Sequence, residues 1–492
     1  MNHEAPTVER AAPNRTLAIL AMGAMAYALA QTMIIPALSQ IQDDYGAGQE
    51  TVTWLLTAFL LTSSVTTPLL GRLGDMYGKE RILLYALGVF GLGSLICALG
   101  TSIEVLIAGR AVQGAGGAIF PLAFGIIRDE FPPAKVPSSI GLISSTFGIG
   151  GGVGLVMAGV LVDHVSVSSI FWASLVVTTM AAVATWRYVP ESPVRVKASI
   201  DWGGGVLLSL LLSALLLGVS QGNSWGWTSG GVLGLFAASA VLTVAFIAYE
   251  RRVADPVIDI DLMRERAVWS PNLAAVAVGF AMFGSYILIP EIAQTDKASG
   301  YGFGLGTTAA GLLLVPSAVV MLFAGPMSGW LGTRFGSRLP LAVGAGVAGL
   351  AYALLALFHG SLIVIALVGI LIGVGIGLSF AAMGNLVVSA VPPESTGVAT
   401  GVNTIMRSIG GAVGAQISAA MLASESIMGG AYPAESGYTS AFALTAGAAF
   451  VALAVTGLIP RPGGGSGDGA VARRPAVAQG APPPARVVAG GA

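Results

Sequence analysis

The segment GRLGDMYGKER at 71–81 is a charged, glycine-rich stretch squeezed between two long apolar runs, and a related segment, GWLGTRFGSR, stands at 329–338. Gly71, Leu73, Gly74 and Gly78 recur as Gly329, Leu331, Gly332 and Gly336. A second pair repeats at nearly the same offset. FPPAKVPSSIG at 131–141 matches VPPESTGVATG at 391–401, and Gly150 and Gly151 return as Gly410 and Gly411. Two such pairs imply a chain built from two related halves, each carrying a basic, glycine-rich turn. In a membrane, a duplicated bundle can rock about a site held between its halves, which is a transporter's arrangement.

The membrane setting follows from composition. Of 492 residues only 10% are charged and 55% are hydrophobic, with a mean hydropathy of +0.82. A soluble domain carries about 25% charged residues, so most of this surface must face lipid. The net charge of −1 gives no footing for nucleic acid. The single cysteine, Cys97, excludes an intrachain disulfide framework and a cysteine-rich metal site, and reads as a small core residue. His3, His164 and His359 are scattered and form no ligand cluster, so no metal or cofactor is expected.

About 20 mostly apolar residues cross the hydrocarbon core as a helix. That rule predicts fourteen spans, near 16–38, 52–72, 82–101, 105–128, 137–162, 168–188, 203–221, 229–249, 268–292, 306–331, 339–358, 362–388, 398–423 and 438–459. No period-two pattern suggests a β-barrel, so the fold expected is all-α. Lys and Arg placement tests the count independently. With the N-terminus inside, 20 of the 23 basic residues fall in inner segments, Lys297 alone falls outside, and Arg110 and Arg407 lie within spans. Dropping one span would reverse every later loop and destroy this asymmetry. The first run is too long for a signal-peptide core and is read as a retained span. The Gly-, Pro- and Ala-rich tail, 461–492, is expected to be disordered and inside.

Three segments resemble signatures of the major facilitator superfamily. GRLGDMYGKER resembles its motif between the second and third spans, LIAGRAVQGAGGA (106–118) its fourth-span motif, and ERRVADPVIDIDLMR (250–264) the loop after two extra spans in the 14-helix drug:proton antiporter branch. The resemblance covers roughly residues 16–460. It implies a six-helix bundle over 1–198, two extra helices and a loop over 199–265, and a second six-helix bundle over 266–460. It implies a multi-pass bacterial plasma-membrane protein working as a monomer, with a small-molecule substrate, protons and the lipid bilayer as its partners.

The same resemblance gives Gly71, Asp75, Gly78, Lys79 and Arg81 a gating role. A carboxylate at Asp75 suits the positive end of a helix in the other half, while Lys79 and Arg81 can pair with Asp129 and Glu130. Arg110 sits about two turns inside the outer end of the fourth span. Burying it there costs at least ~2.5 kcal/mol unless it is paired or hydrated; the resemblance assigns it to proton relay, or to holding the first span with Gln113. Arg407, about 14 Å into the thirteenth span, is too deep to snorkel, and with Asn403 and Gln416 it is a candidate substrate-facing charge; a structural pairing is the rival. Glu291 is the one carboxylate expected inside a span of the second half, hence a candidate proton carrier. Asp163 and His164 are weaker candidates. Gly148, Gly150, Gly154 and Gly159 are expected to form one small-residue helix face packed at the seam between halves.

Two positions depart from the branch. Its fifth-span signature G-P-x-x-G-G reads Gly154-Leu155-Val156-Met157-Ala158-Gly159, and its first-span acid is absent from Leu29-Ala30-Gln31-Thr32. Missing that acid, the cargo expected is neutral, anionic or hydrophobic. No nucleotide-binding signature or catalytic constellation is present, so an enzyme is not expected. The leading expectation is a proton-driven exporter of drugs or small amphipathic compounds working by alternating access. A metabolite symporter or facilitator on the same fold is the alternative.

Overall fold

A computed structural model describes residues 13–196, 198–424, 426–427 and 432–460. The tail expected over 461–492 lies outside the described residues, as does the side chain of Asp163. Among the described residues, fourteen helices are long and apolar enough to cross a bilayer. In chain order these spans are Pro13–Leu38, Thr51–Tyr77, Lys79–Leu99, Ile103–Glu130, Val136–Val162, Ser168–Tyr188, Trp202–Trp225, Gly230–Glu250, Arg266–Gln294, Thr308–Phe335, Arg338–Leu357, Leu362–Ala390, Pro393–Ser424 and Glu435–Thr456. They are numbered 1 to 14 below. The face where spans 2 and 3 meet, with Arg72 and Lys79, is called the basic face.

Several local expectations change. The stretch 71–81 is not a loop: the helix of span 2 runs to Tyr77, span 3 begins at Lys79, and Gly78 alone joins them at φ 114°. That positive φ strains any residue with a Cβ, which explains glycine there. Its counterpart Gly336, at φ 80°, makes the corresponding turn with Ser337 between spans 10 and 11. Gly71 and Gly74 are helical and serve close packing instead of turning. Span 4 is not one regular helix, because the Gly-Ala-Gly-Gly run forms a 3₁₀ segment, Gly114–Ala118. Nor is the chain wholly helical. Ser426–Ile427 pairs antiparallel with Tyr432–Pro433 between spans 13 and 14, in the register Ser426↔Pro433 and Ile427↔Tyr432.

The repeat seen in the sequence returns as repeated packing. In spans 1 and 5, a Cβ on Gly150 would press on Ala28 and one on Gly154 on Thr32. In spans 9 and 13, Gly410 meets Val276 and Gly414 meets Phe280 in the same order. Gly93 of span 3 crosses Gly109 and Gln113 of span 4, and Gly344 of span 11 likewise crosses Gly375 and Ser379 of span 12. Glycines occur at these crossings because two helix backbones approach closely only where at least one of the facing positions lacks a side chain.

Span 5 packs along span 10 and span 2 along span 13, forming two seams. Spans 7 and 8 form a hairpin whose span 7 side packs on spans 2 and 13. Thr57 and Ser220 share a 2.6 Å hydrogen bond there, and Asn223 donates to the Gln416 side-chain oxygen at 2.8 Å. Span 8 buries only Val232, Ser239, Phe246 and Glu250, leaving most of its apolar surface for lipid.

Candidate functional site

On the basic face the two seams are closed by backbone contact and charge. Asp75 is fully buried at the end of span 2 and accepts the N–H groups of Gly397 and Val398, each at 3.2 Å. These are first-turn amides of the helix Thr396–Ser424, left without intrahelical partners, and the dipole there favours an anion. Buried Lys79 lies between Asp75 at 3.4 Å and Asp129 at 2.7 Å, and the Ser192 hydroxyl also donates to Asp129. Arg81 takes no part in this. It is exposed, and Asp129 is held by Lys79 instead, because Arg81 begins the outward side of span 3 while Lys79, two residues earlier, faces inward.

Arg128 completes the closure, and sequence reasoning counted it only as an inner charge. Its guanidinium donates to the Val391 carbonyl at 2.7 Å, the Pro392 carbonyl at 3.2 Å and the Thr396 hydroxyl at 2.7 Å. It thus straddles the join of spans 12 and 13, where a helix end leaves carbonyls unpaired. A signal existed: a basic residue in a last helical turn, facing the repeat of its own following loop.

Arg110 is 1% exposed, so it does not snorkel. Nε donates to the Leu55 carbonyl and Nη1 to the Ala30 carbonyl, both at 3.1 Å, and Nη1 reaches Gln113 at 2.7 Å. Its guanidinium carbon lies 4.1 Å from the Phe59 ring centroid, and Gln113 donates onward to Ser94 at 2.7 Å. One arginine therefore ties spans 1, 2 and 4 together. Two buried atoms, Arg110 Nη2 and Gln31 Oε1, have no hydrogen-bond partner among the described residues.

The membrane centre is aromatic. Tyr27, Phe120, Phe147 and Phe380 form a continuous series of ring contacts from span 1 to span 12, with Phe283 of span 9 joined to Phe147. Arg407 is 4% exposed and stands over Phe380 at 4.0 Å and Phe147 at 5.4 Å. Among the described residues no carboxylate and no carbonyl hydrogen bond holds it, so the expected alternative of a structural pairing with a carboxylate or with helix carbonyls is corrected. Its two companions part from it: Asn403 bonds Asn272 of span 9 at 2.9 Å, while Gln416 faces the span 7–8 hairpin. Their spacing along one helix turns them toward different neighbours.

Above this layer, on the face opposite the basic one, a cleft of about 370 Å³ opens between spans 1, 2 and 5 and spans 9 and 10. Pro36, Leu155, Tyr286, Pro290 and Glu291 are among its walls. Glu291 is exposed at its mouth and not within the apolar depth. His164 is exposed at the end of its helix.

The glycines of span 5 do not form the single face expected. Gly148 meets Met321 and Gly159 meets Thr308, both of span 10, whereas Gly150 and Gly154 meet Ala28 and Thr32 of span 1. Two residues on a helix are about 200° apart, so 148 and 150 must face opposite ways. One stripe serves the seam, the other the interior of the first half.

The profile described as Major Facilitator Superfamily matches residues 20–415. The chain belongs to the major facilitator superfamily. Among relatives of this superfamily, multidrug resistance protein 3 of Bacillus subtilis is 26% identical over 84% of this chain and 80% of its own length. Multidrug resistance protein Stp of Mycobacterium tuberculosis is 28% identical over 83% and 75%. The tetracenomycin C resistance and export protein of Streptomyces glaucescens is 28% identical over 84% and 77%. The crystal structure of the human organic anion transporter MFSD10 (TETRAN) covers 92% of this chain and all of its own at a TM-score of 0.65, with 14% identity, a likeness of fold. The chain is thus a multi-pass superfamily transporter of the bacterial plasma membrane and not an enzyme.

Proposed function

We propose that the chain is a proton-driven exporter of small amphipathic compounds that works by alternating access. Two six-helix bundles, residues 1–198 and 266–460, rock against each other while the 199–265 hairpin rides on the outside; the basic face is cytoplasmic, and one chain suffices. The observation carrying this reading is the asymmetry of the space between the halves. The basic face is closed by Asp75 on the first turn of span 13, and the opposite face holds an open cleft. Read with the basic face inside, this is the outward-open state of an exporter.

Arg407 marks the cargo class. It is a cation among aromatic rings with no bonded partner among the described residues, which favours neutral, anionic or aromatic compounds over cations. Among the relatives, three carry names of multidrug resistance or antibiotic export. Protons enter through groups reached from the cleft, with Glu291 at its mouth as the first candidate.

The test uses inverted vesicles energised to be acid inside, a pH-sensitive dye and a panel of lipophilic compounds. Compound-triggered proton release that disappears in Asp75→Asn and falls in Glu291→Gln is the expected result. Compound flux with no proton movement would replace antiport by facilitated transport, the reading favoured by Ala30, Leu155 and Ala158 standing where the branch signatures place an acid, a proline and a glycine.

A further inference from the structure

We propose that Asp201 and Glu250 form a two-carboxyl site that holds a single proton between them at the base of the span 7–8 hairpin. Glu250, the last residue of span 8, is 2% exposed. Its Oε2 accepts the Ile258 N–H at 3.4 Å, and its buried Oε1 has no partner among the described residues. Asp201 caps span 7, its Oδ1 accepting the Gly204 N–H at 2.8 Å and the Tyr249 hydroxyl at 3.1 Å. Its Oδ2 is buried and also without a partner. The two free oxygens converge: a methyl on Gly204 would strike both.

Two ionised carboxylates cannot comfortably face each other in such a place, and each unpartnered oxygen carries its own desolvation cost. One proton taken from solvent resolves both. The protonated carboxyl donates its O–H to the facing carboxylate, which satisfies the two oxygens and leaves the pair with one charge. A hard cation fits poorly, because it requires about six oxygen ligands and only two unpartnered oxygens converge here.

The charged surroundings do not neutralise the pair by contact. Arg72, at the end of span 2, acts on Glu250 and on Asp255 through space and ion-pairs with neither among the described residues. Asp255 is engaged elsewhere, accepting both the N–H and the hydroxyl of Ser199 at 3.0 Å, which hold its carboxyl below the usual range. Arg251 and Arg252 are exposed. Tyr249 contributes only its hydroxyl.

The site also has a mechanical connection. Glu250 holds Ile258, and Val257 and Ile258 share an apolar cluster with Val398 and Val402 of span 13. Val398 is one of the two residues whose amides bind Asp75. Loss of the shared proton would therefore set two charges against each other beside the basic-face closure. This inference does not depend on what the protein transports or on antiport.

The experiment is infrared difference spectroscopy of the purified full chain at pH 7. A carboxylic-acid C=O band is expected in the wild type and is lost in both Asp201→Asn and Glu250→Gln. Asn still caps the helix, and the Gln amide still donates to Asp201, so both variants keep the fold, checked by thermal unfolding. A wild type with no such band, or a band that survives both substitutions, overturns the proposal. So does stabilisation of the wild type by added calcium or sodium that both substitutions abolish, which would make this a cation site.

Discussion

Gly71 and Gly397 meet backbone to backbone: a Cβ on either would lie 2.6 Å from the carbonyl oxygen of the other. Helices 2 and 13 can touch on the basic face only because both positions lack a side chain. Asp75 then reaches the Gly397 and Val398 amides one turn further on. In the repeated seam Gly329 presses on Pro137 and Ser138, but the residue matching Asp75 is Thr333, which bonds its own helix at Trp330. One seam is therefore held by packing and charge, the other by packing.

Gly71→Ala should overpack this crossing by about 1–3 kcal/mol. Thermal unfolding of the purified protein is expected to fall accordingly, and efflux to drop, because the penalty falls on the closed state. An unchanged melting temperature with full efflux would mean that the backbones do not come this close in the membrane.

Asp75→Asn leaves a single accepting oxygen, so one of the two charge-assisted hydrogen bonds becomes neutral and the other is lost, an NH2 facing an amide N–H. Each charge-assisted bond is worth about 1.5–3 kcal/mol, so the basic-face-closed population should fall by roughly ten- to a hundredfold per bond lost. Distance measurements between spin labels on spans 2 and 13 read this directly. Lys79→Gln attacks the same cluster differently, leaving two carboxylates buried without their cation, and should destabilise by about 3–5 kcal/mol.

Arg110→Lys keeps the charge and loses the fork that reaches the Ala30 and Leu55 carbonyls together. Transport should fall at least tenfold, as a single ammonium holds one of these partners at a time. Recovery of full efflux in the lysine variant would reduce Arg110 to a bare charge.

Arg407→Met removes a buried cation that no carboxylate or hydrogen bond offsets. Stability should hold or rise, since desolvation is relieved and the aromatic contact is kept, while efflux collapses. Loss of both together would instead make Arg407 a structural residue.

Cys97 is 1% exposed, so the native chain should give little reaction with membrane-impermeant thiol reagents. Gln42→Cys, on the cleft, should label in intact cells, whereas Ser395→Cys, beside Arg72, should label only in inverted vesicles. The opposite pattern would reverse the orientation proposed here.

The sequence by itself determined the fourteen spans, the internal repeat, the charge asymmetry between the two faces and the superfamily motifs. Hydropathy, charge and glycine spacing are properties of short windows, and lipid selects on them directly. It also marked Asp75, Lys79 and Asp129, through the resemblance of 71–81 to a superfamily motif. Only the tertiary structure decided which side each helix presents and at what height it crosses its neighbours. That is why Gly148 and Gly150 part to opposite faces, why Arg81 stays outside while Lys79 is enclosed, and why Asn403 and Gln416 turn away from Arg407. It is also why Arg128, ordinary in a basic loop, becomes a bridge between spans, and why Asp201 and Glu250, far apart along the chain, meet over Gly204. Helix azimuth and register are set by side chains from several spans at once, and no single stretch of sequence carries that sum.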